Sequence, residues 1–445
     1  YMSLLEEFHK ARLDGIKTPQ VAFIMNFGPM HSTLEMLRSA YQDLYKPGLY
    51  KDLWFMWEGK PLVLAYPDSI PTEGKSEFDT ALLNEMREFF TFRPPQPMYA
   101  GGPQREDHWG WLEIAPQNGY VKKPDGRFEM CTVGVAQNAR EGRICTHFND
   151  KGTFGRSYTF KDKHAKLTKD SYKYGYNVQE QWDNAIEMDP DLVFITGWNE
   201  WIMLKIPGKP WIWDDDSTQI GFVDQYDNEH SRDIEPDCDG YKDSFYLQMT
   251  ANIRKYKGLR HIERNNVKKK IDINDFGTWS DVMPEYFSHK GTAANRDYNG
   301  LGSCKYVNKT GVNDFVLAKY AYDDINVYFY VKCAENIITG HDNAMTLLID
   351  TDRDKNTGWE GYDFKIIAGK CFNISNGSLK YCGEIKQNIK GCEMAIELPK
   401  SLFGLKENDK PDFEFKWIDN IKTQDVMEFY RDGDCAPFGR FNYVM

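Results

Sequence analysis

The chemistry-bearing residues of this chain crowd the end of one apolar run. Leu192 to Ile195 is followed by Thr196 and Gly197, and then by Trp198, Asn199, Glu200 and Trp201. A short unbroken apolar run reads as a strand buried on both faces, as in a parallel sheet. In barrels of parallel strands the reactive groups stand where such strands end. A carboxylate set among tryptophans suits a sugar, whose C–H faces stack on flat rings while the acid serves the glycosidic oxygen. The plainer alternative is a strand end capped by aromatics, with Glu200 in solvent.

Glycoside cleavage takes two carboxyl groups. A separation of about 5–5.5 Å goes with a covalent nucleophile, and about 6.5–9.5 Å leaves room for an attacking water. Glu200 supplies the first. Residues 219–236 offer Asp224, Asp227, Glu229, Asp233 and Glu235, with His230 and Arg232 between them. Such a run is more often a solvated acidic loop, and Arg232 among acids could equally be a structural ion pair. Glu113, just after Trp111, is a further acid at an expected strand end.

Strands and helices alternate ahead of this segment. Gln20 to Asn26 reads as a strand ending at Asn26. A helix then starts with Ser32 as its cap and Glu35 three residues on, burying Leu34, Leu37, Tyr41 and Leu44. Pro61 to Tyr66 is the next strand, followed by a helix from Ser76 that buries Phe78, Leu82, Met86 and Phe89. Phe90 to Phe92 is a short strand, and Met130 to Ala136 is another, ending at Gln137 and Asn138. Residues 140–176 are loop-rich, and long loops in compact domains are usually functional. A helix from Val178 to Met188 leads into the Glu200 strand. Gly221 to Asp224 is a sixth strand, and Ser244 to Tyr256 a last helix. Alternation of this kind means a parallel sheet with crossover helices. The helix at residues 3–14 has no strand before it, so one or two βα units are expected to precede Tyr1 in a complete barrel. No Gly-rich phosphate loop supports an open doubly wound sheet instead.

Beyond about residue 258 helical periodicity gives way to short β-rich segments: Val316 to Ala321, Asn326 to Lys332, Ala344 to Ile349 and Glu393 to Leu398. The turn Asn376-Gly377 separates two others. That texture indicates an antiparallel sandwich, with the boundary between about 258 and 275.

The net charge of −12 over 445 residues argues against a phosphate-binding surface. No apolar stretch approaches the ~20 residues of a membrane span. The nine cysteines show no CxxC or Cys/His metal spacing. Six of them, Cys304, Cys333, Cys371, Cys382, Cys392 and Cys435, fall in the C-terminal region, where a single bridge could form.

Glu58-Gly59-Lys60-Pro61-Leu62 and Gly197-Trp198-Asn199-Glu200-Trp201, with Ile234-Glu235-Pro236, resemble landmarks of the family 99 glycoside hydrolases and the related family 71/99-like (WbsX-like) proteins. The resemblance spans roughly Tyr1 to Gly258. It implies a (β/α)8 barrel, and family 99 members cleave internal α-mannosidic bonds with retention. In that family a second Glu follows Trp-Asn-Glu-Trp after one residue. Met203 stands there in this chain. An insertion from about Ile202 to Asn228 moves the matching segment downstream and makes Glu229 the counterpart. The departure leaves the mechanism and the sugar unnamed, so the resemblance implies a sugar-active barrel.

In the C-terminal region Asp350, Asp352 and Asp354 alternate toward Gly358, a pattern that can wrap a hard cation such as Ca2+. It lacks the sixth-position glycine and closing Glu of an EF-hand loop. A charged hairpin turn without metal is the alternative. The stretch through Trp359 and Tyr362 resembles family 9 carbohydrate-binding modules and DOMON-like sandwiches.

The resulting expectation is a (β/α)8 TIM-type barrel over residues 1–262 and an antiparallel β-sandwich over 263–445. Its activity would be hydrolysis of O-glycosidic bonds, with Glu200 and Glu229 as carboxylates. Trp198, Asn199, Trp201, Glu113, Trp111, Gln137, Asn26 and Glu235 would bind substrate. Catalysis needs no cofactor; a structural Ca2+ is placed at Asp350, Asp352 and Asp354. The partner is carbohydrate rather than nucleic acid or membrane, and the location is secreted or periplasmic. The alternative is a glycan-binding protein on a barrel that has lost its second carboxylate.

Overall fold

Pro61, Leu62, Val63 and Leu64 are all buried, and they form the middle of a parallel sheet. The computed structural model describes the chain except for residues 74–79, 97, 99–100, 142, 145, 164–167, 201–204, 208–219, 238–239, 260–267, 294, 300–304 and 423. By its internal contacts it divides into residues Tyr1–Leu259 and Arg260–Met445.

In the first unit β1 (Phe23–Ile24), β2 (Lys60–Leu64) and β3 (Thr91–Phe92) run parallel, with Phe23 opposite Val63 and Leu62 opposite Thr91. A second parallel pair joins β4 (Phe128–Gly134) to β5 (Leu192–Thr196), from Met130 opposite Leu192 to Gly134 opposite Thr196. Strand alternation assigns the two faces. Leu62 and Leu64 of β2 meet Met130 of β4 in one core, with Trp109 and Tyr120 and, at its edge, Leu192 and Phe194 of β5. Val63 points the other way, against Leu34 and Leu37 of α1 (His31–Ala40) and Leu83 and Met86 of α2 (Thr80–Phe89). Cys131 and Val133 likewise face Trp182 and Ala185 of α3 (Tyr176–Met188) and Phe245 of α4 (Ser244–Lys257). The order is helices, sheet, apolar centre, sheet, helices. Arg93 ties the two sheets: its Nε and Nη2 each donate at 2.8 Å to the buried carboxylate of Glu129.

The first unit is therefore mixed α/β, and among the described residues its sheets do not close. The expected sixth strand departs from the parallel pattern. Residues Ile220–Phe222 pair antiparallel with Lys205–Pro207, an excursion off the sheet that a single apolar run could not announce. The helix after β1 also differs at its start. Met30 is its N-cap and no side chain caps it, because Ser32 takes a hydrogen bond from Asn26 instead. Leu34, Leu37, Tyr41 and Leu44 are buried as the periodicity requires. In α2 Leu83 fills the place expected of Leu82, and Ser76 and Phe78 lie outside the described residues. No described helix is long and apolar enough to cross a membrane.

Among the described residues the second unit has two large antiparallel sheets and a two-stranded one, Arg296–Asn299 with Lys305–Asn308. One large sheet is ordered Tyr286–Phe287, Phe315–Tyr322, Asn326–Cys333, Glu393–Pro399, Lys386–Lys390. The other runs Ser378–Glu384, Lys370–Ser375, Phe364–Ile367, Thr346–Asp350, Glu414–Asp419, with Asp434–Ala436 and Tyr443–Val444 both on the last strand. Phe315, Phe329 and Ile396 of the first sheet and Leu347, Ile349, Phe415 and Trp417 of the second share one core. Asn376 and Gly377 both have positive φ, 48° and 73°, as a tight hairpin turn requires.

Asp434 lies against this core, 4% exposed. Its carboxylate accepts the Phe315 N–H at 2.8 Å, but burial dominates and pushes its pKa up from 3.8 to about 6. An acid with a raised folded pKa stabilises most below its unfolded value and loses that contribution as pH rises through the folded one. Two pKa units correspond to about 3 kcal/mol at most. The second unit should thus lose stability between pH 3.8 and about 6 from this group. Asp434→Asn should flatten that part of a urea-midpoint profile against pH. An unchanged profile would remove Asp434 as the cause.

Candidate active site at the strand ends

Gly197 makes the site possible. It follows β5 with φ at +88°, and a Cβ there would fall 2.1 Å from the Arg232 carbonyl oxygen. The strand can therefore turn while pressed against residues 232–235. Trp198 O accepts the N–H groups of Ile234 and Glu235 at 3.3 and 2.9 Å. Glu200 N donates to Asp233 Oδ1 at 2.6 Å. Gly197→Ala adds left-handed strain to a clash with backbone that cannot swing away. It should cost about 3 kcal/mol or more, read as the urea midpoint of the first unit. A shift within experimental error would contradict this packing.

The backbone so held presents Glu200 with its side chain 46% exposed. Its Oε2 lies 3.8 Å from Arg232 Nη2, and the same nitrogen forms a close ion pair with Asp224 Oδ1. Arg232 and Asp224 are both buried. Two carboxylates of unequal exposure thus share one guanidinium. The Nε and Nη1 of Arg232 and the Oδ2 of Asp224 have no hydrogen-bond partner among the described residues. The Arg232 guanidinium lies 6.0 Å from the centre of the Trp111 ring, which packs 5.0 Å from Phe27. On the other side Trp198, 45% exposed, meets Tyr246 at 6.0 Å.

Arg156 holds this framework from beneath. Fully buried, it lies 3.9 Å from the Tyr241 ring and 4.2 Å from that of Phe245. It donates to Ser231 Oγ and to Asp233 O, each at 2.8 Å. Burial lowers its pKa and raises that of Asp233, although the Glu200 N–H and both arginines work against the latter shift. The sequence marked the 140–176 loop as long but carried no sign that Arg156 would underpin the Glu200 backbone, since the contact spans over seventy residues.

The other expected site residues divide. Asn199 follows Trp198 at the turn and is exposed. Glu235 is fixed through its backbone on Trp198. Trp201 lies outside the described residues. Glu229 is not joined to Glu200 by any contact among the described residues. Its carboxylate accepts Ser157 N at 2.9 Å and Ser157 Oγ at 2.5 Å. Glu113 is no strand-end acid: it sits in a loop, 1% exposed, accepting Asn118 N and Nδ2 at 2.8 and 2.6 Å. Burial raises its pKa. Asn26 spends its amide on Ser32 and Thr33, at 2.9 and 3.1 Å, tying β1 to the start of α1. Gln137 is buried and donates to Asn177 Oδ1 at 2.6 Å.

In the second unit Asp350 and Asp352 do cluster, but Asp363 is the third member. Asp354 turns to Asn356, accepting its N–H at 2.9 Å. Asp350 is already bonded by the Lys355 ammonium and by Arg353 N, and Asp363 by Thr351 N and Oγ1. With Lys355 in place the set does not fit a calcium site, and the lysine supplies the positive charge a metal would bring.

No protein-family model, no curated protein and no solved structure matches the chain.

Proposed function

We propose that residues 1–259 are a glycoside hydrolase on a (β/α)8-type barrel, acting on O-glycosidic bonds of an oligo- or polysaccharide. One observation carries the reading. Glu200 is a half-exposed carboxylate at the end of a parallel strand, beside the exposed Trp198, and it shares the Arg232 guanidinium with a second carboxylate, Asp224. Five parallel strands in two facing sheets with helices outside support the barrel. In this reading Glu200 faces the positive charge that develops at the anomeric carbon, Trp198 carries a sugar face, and Arg232 orients the acid. Asp224, buried against Arg232, holds that guanidinium in place, and Glu229 stands apart on Ser157.

The test compares two glutamines. Glu229→Gln should leave kcat within about ten-fold of wild type, because Ser157 rather than substrate holds that carboxylate. Glu200→Gln should lose about 10²–10⁴-fold, the contribution of a positioned acid–base group. The reverse ranking would restore Glu229 as the partner.

A second reading has its own support. The Arg232 ion pair and the capture of Glu229 by Ser157 leave Glu200 as the half-exposed acid of a ready-made sugar platform. A glycan-binding protein would use the same surface without turnover.

A further inference from the structure

Cys371 and Cys382 face each other at an irregular step of the second unit's edge hairpin. The strands Lys370–Ser375 and Ser378–Glu384 pair with Cys371 opposite Gly383 and Phe372 opposite Tyr381. Cys382 is thus the surplus residue of a β-bulge, where two residues of one strand oppose one of the other. Cys382 stands one residue from Gly383, whose Cα lies about 4.5–5.5 Å from that of Cys371 as an opposed pair, and a disulfide needs about 4.4–6.8 Å. The two thiols also interact as side chains: burial first, then Cys382, pushes the Cys371 thiol up to about 12. Cys371 is fully buried and Cys382 exposed, and both are free thiols. Reagents in solution therefore meet Cys382 first.

We propose that Cys371 and Cys382 form a disulfide across this hairpin by exchange with a small-molecule disulfide. The Cys382 thiolate attacks the reagent, whose S–S bond breaks and releases one thiol, leaving a mixed disulfide on Cys382. Cys371 then attacks the Cys382 sulfur, gives up its proton to the departing thiolate, and closes the protein bond. The protein dithiol is oxidised, and the reagent is reduced to two thiols.

The test incubates the folded chain with oxidised glutathione, then unfolds, alkylates and maps it. The expected product lacks two alkylatable thiols and yields one peptide pair linked through Cys371 and Cys382. Cys382→Ser should yield no such pair and keep Cys371 alkylatable. Cys371→Ala should leave glutathione on Cys382, since nothing resolves the mixed disulfide. Wild type that retains glutathione on Cys382, keeps both thiols alkylatable, or links Cys333 to Cys392 would overturn the proposal. The last pair is the informative control, because Cys333 N donates to Cys392 O at 2.9 Å beside a ladder of the other large sheet.

Discussion

Glu200→Gln should lower kcat for glycan hydrolysis by about 10²–10⁴-fold, with glycan affinity within about ten-fold of wild type. Glutamine keeps the shape and one acceptor oxygen, so contacts with Trp198 and with sugar hydroxyls persist. What disappears is the charge that the proposed reaction sets against the anomeric carbon. The substitution should not unfold the unit. The Glu200 side chain is half exposed and its role in the fold runs through its backbone N–H to Asp233. Stability by urea, affinity by calorimetry and turnover by reducing-end release separate the three effects. Equal turnover in wild type and variant would remove Glu200 from the chemistry.

Arg232→Met should destabilise the first unit by about 3–5 kcal/mol, the usual consequence of stripping one partner from a buried ion pair. Asp224 is 2% exposed and would be left with a charge that neither water nor protein meets. Half-exposed Glu200 depends on the same guanidinium much less. The double variant Asp224→Asn, Arg232→Met removes the orphaned charge and should regain much of the loss. The recovery distinguishes a buried charge from lost packing against Trp111. A small single-variant effect, below about 1 kcal/mol, would mean the pair is solvated.

The parts of the molecule legible from sequence are those set by local pattern. The 3.6-residue spacing of Leu34, Leu37, Tyr41 and Leu44 gave the helix its buried face, and the unbroken run at Leu192 predicted a parallel strand ending beside Glu200. Asn376-Gly377 announced its own hairpin through the backbone it needs. What stayed hidden depends on contacts between distant segments. Glu229 and Glu113 look like site acids by spacing, yet Ser157 encloses one and Asn118 the other. Arg232 was legible as an ion-pair residue, but its shared hold on Glu200 and Asp224 needed the fold. The aspartate cluster misled by one member, because strand pairing brings Asp363 alongside Asp350 while Asp354 turns back on its own loop.

In the proposed function Glu200 turns over a glycan. The most direct measurement is release of reducing ends from a panel of plant, fungal and bacterial polysaccharides by the whole chain, with Glu200→Gln alongside. Wild type should release reducing ends from at least one polysaccharide, and the variant should lose that release. A polysaccharide bound equally by both proteins, with reducing ends released by neither, would contradict the proposed function and make the site a binding platform.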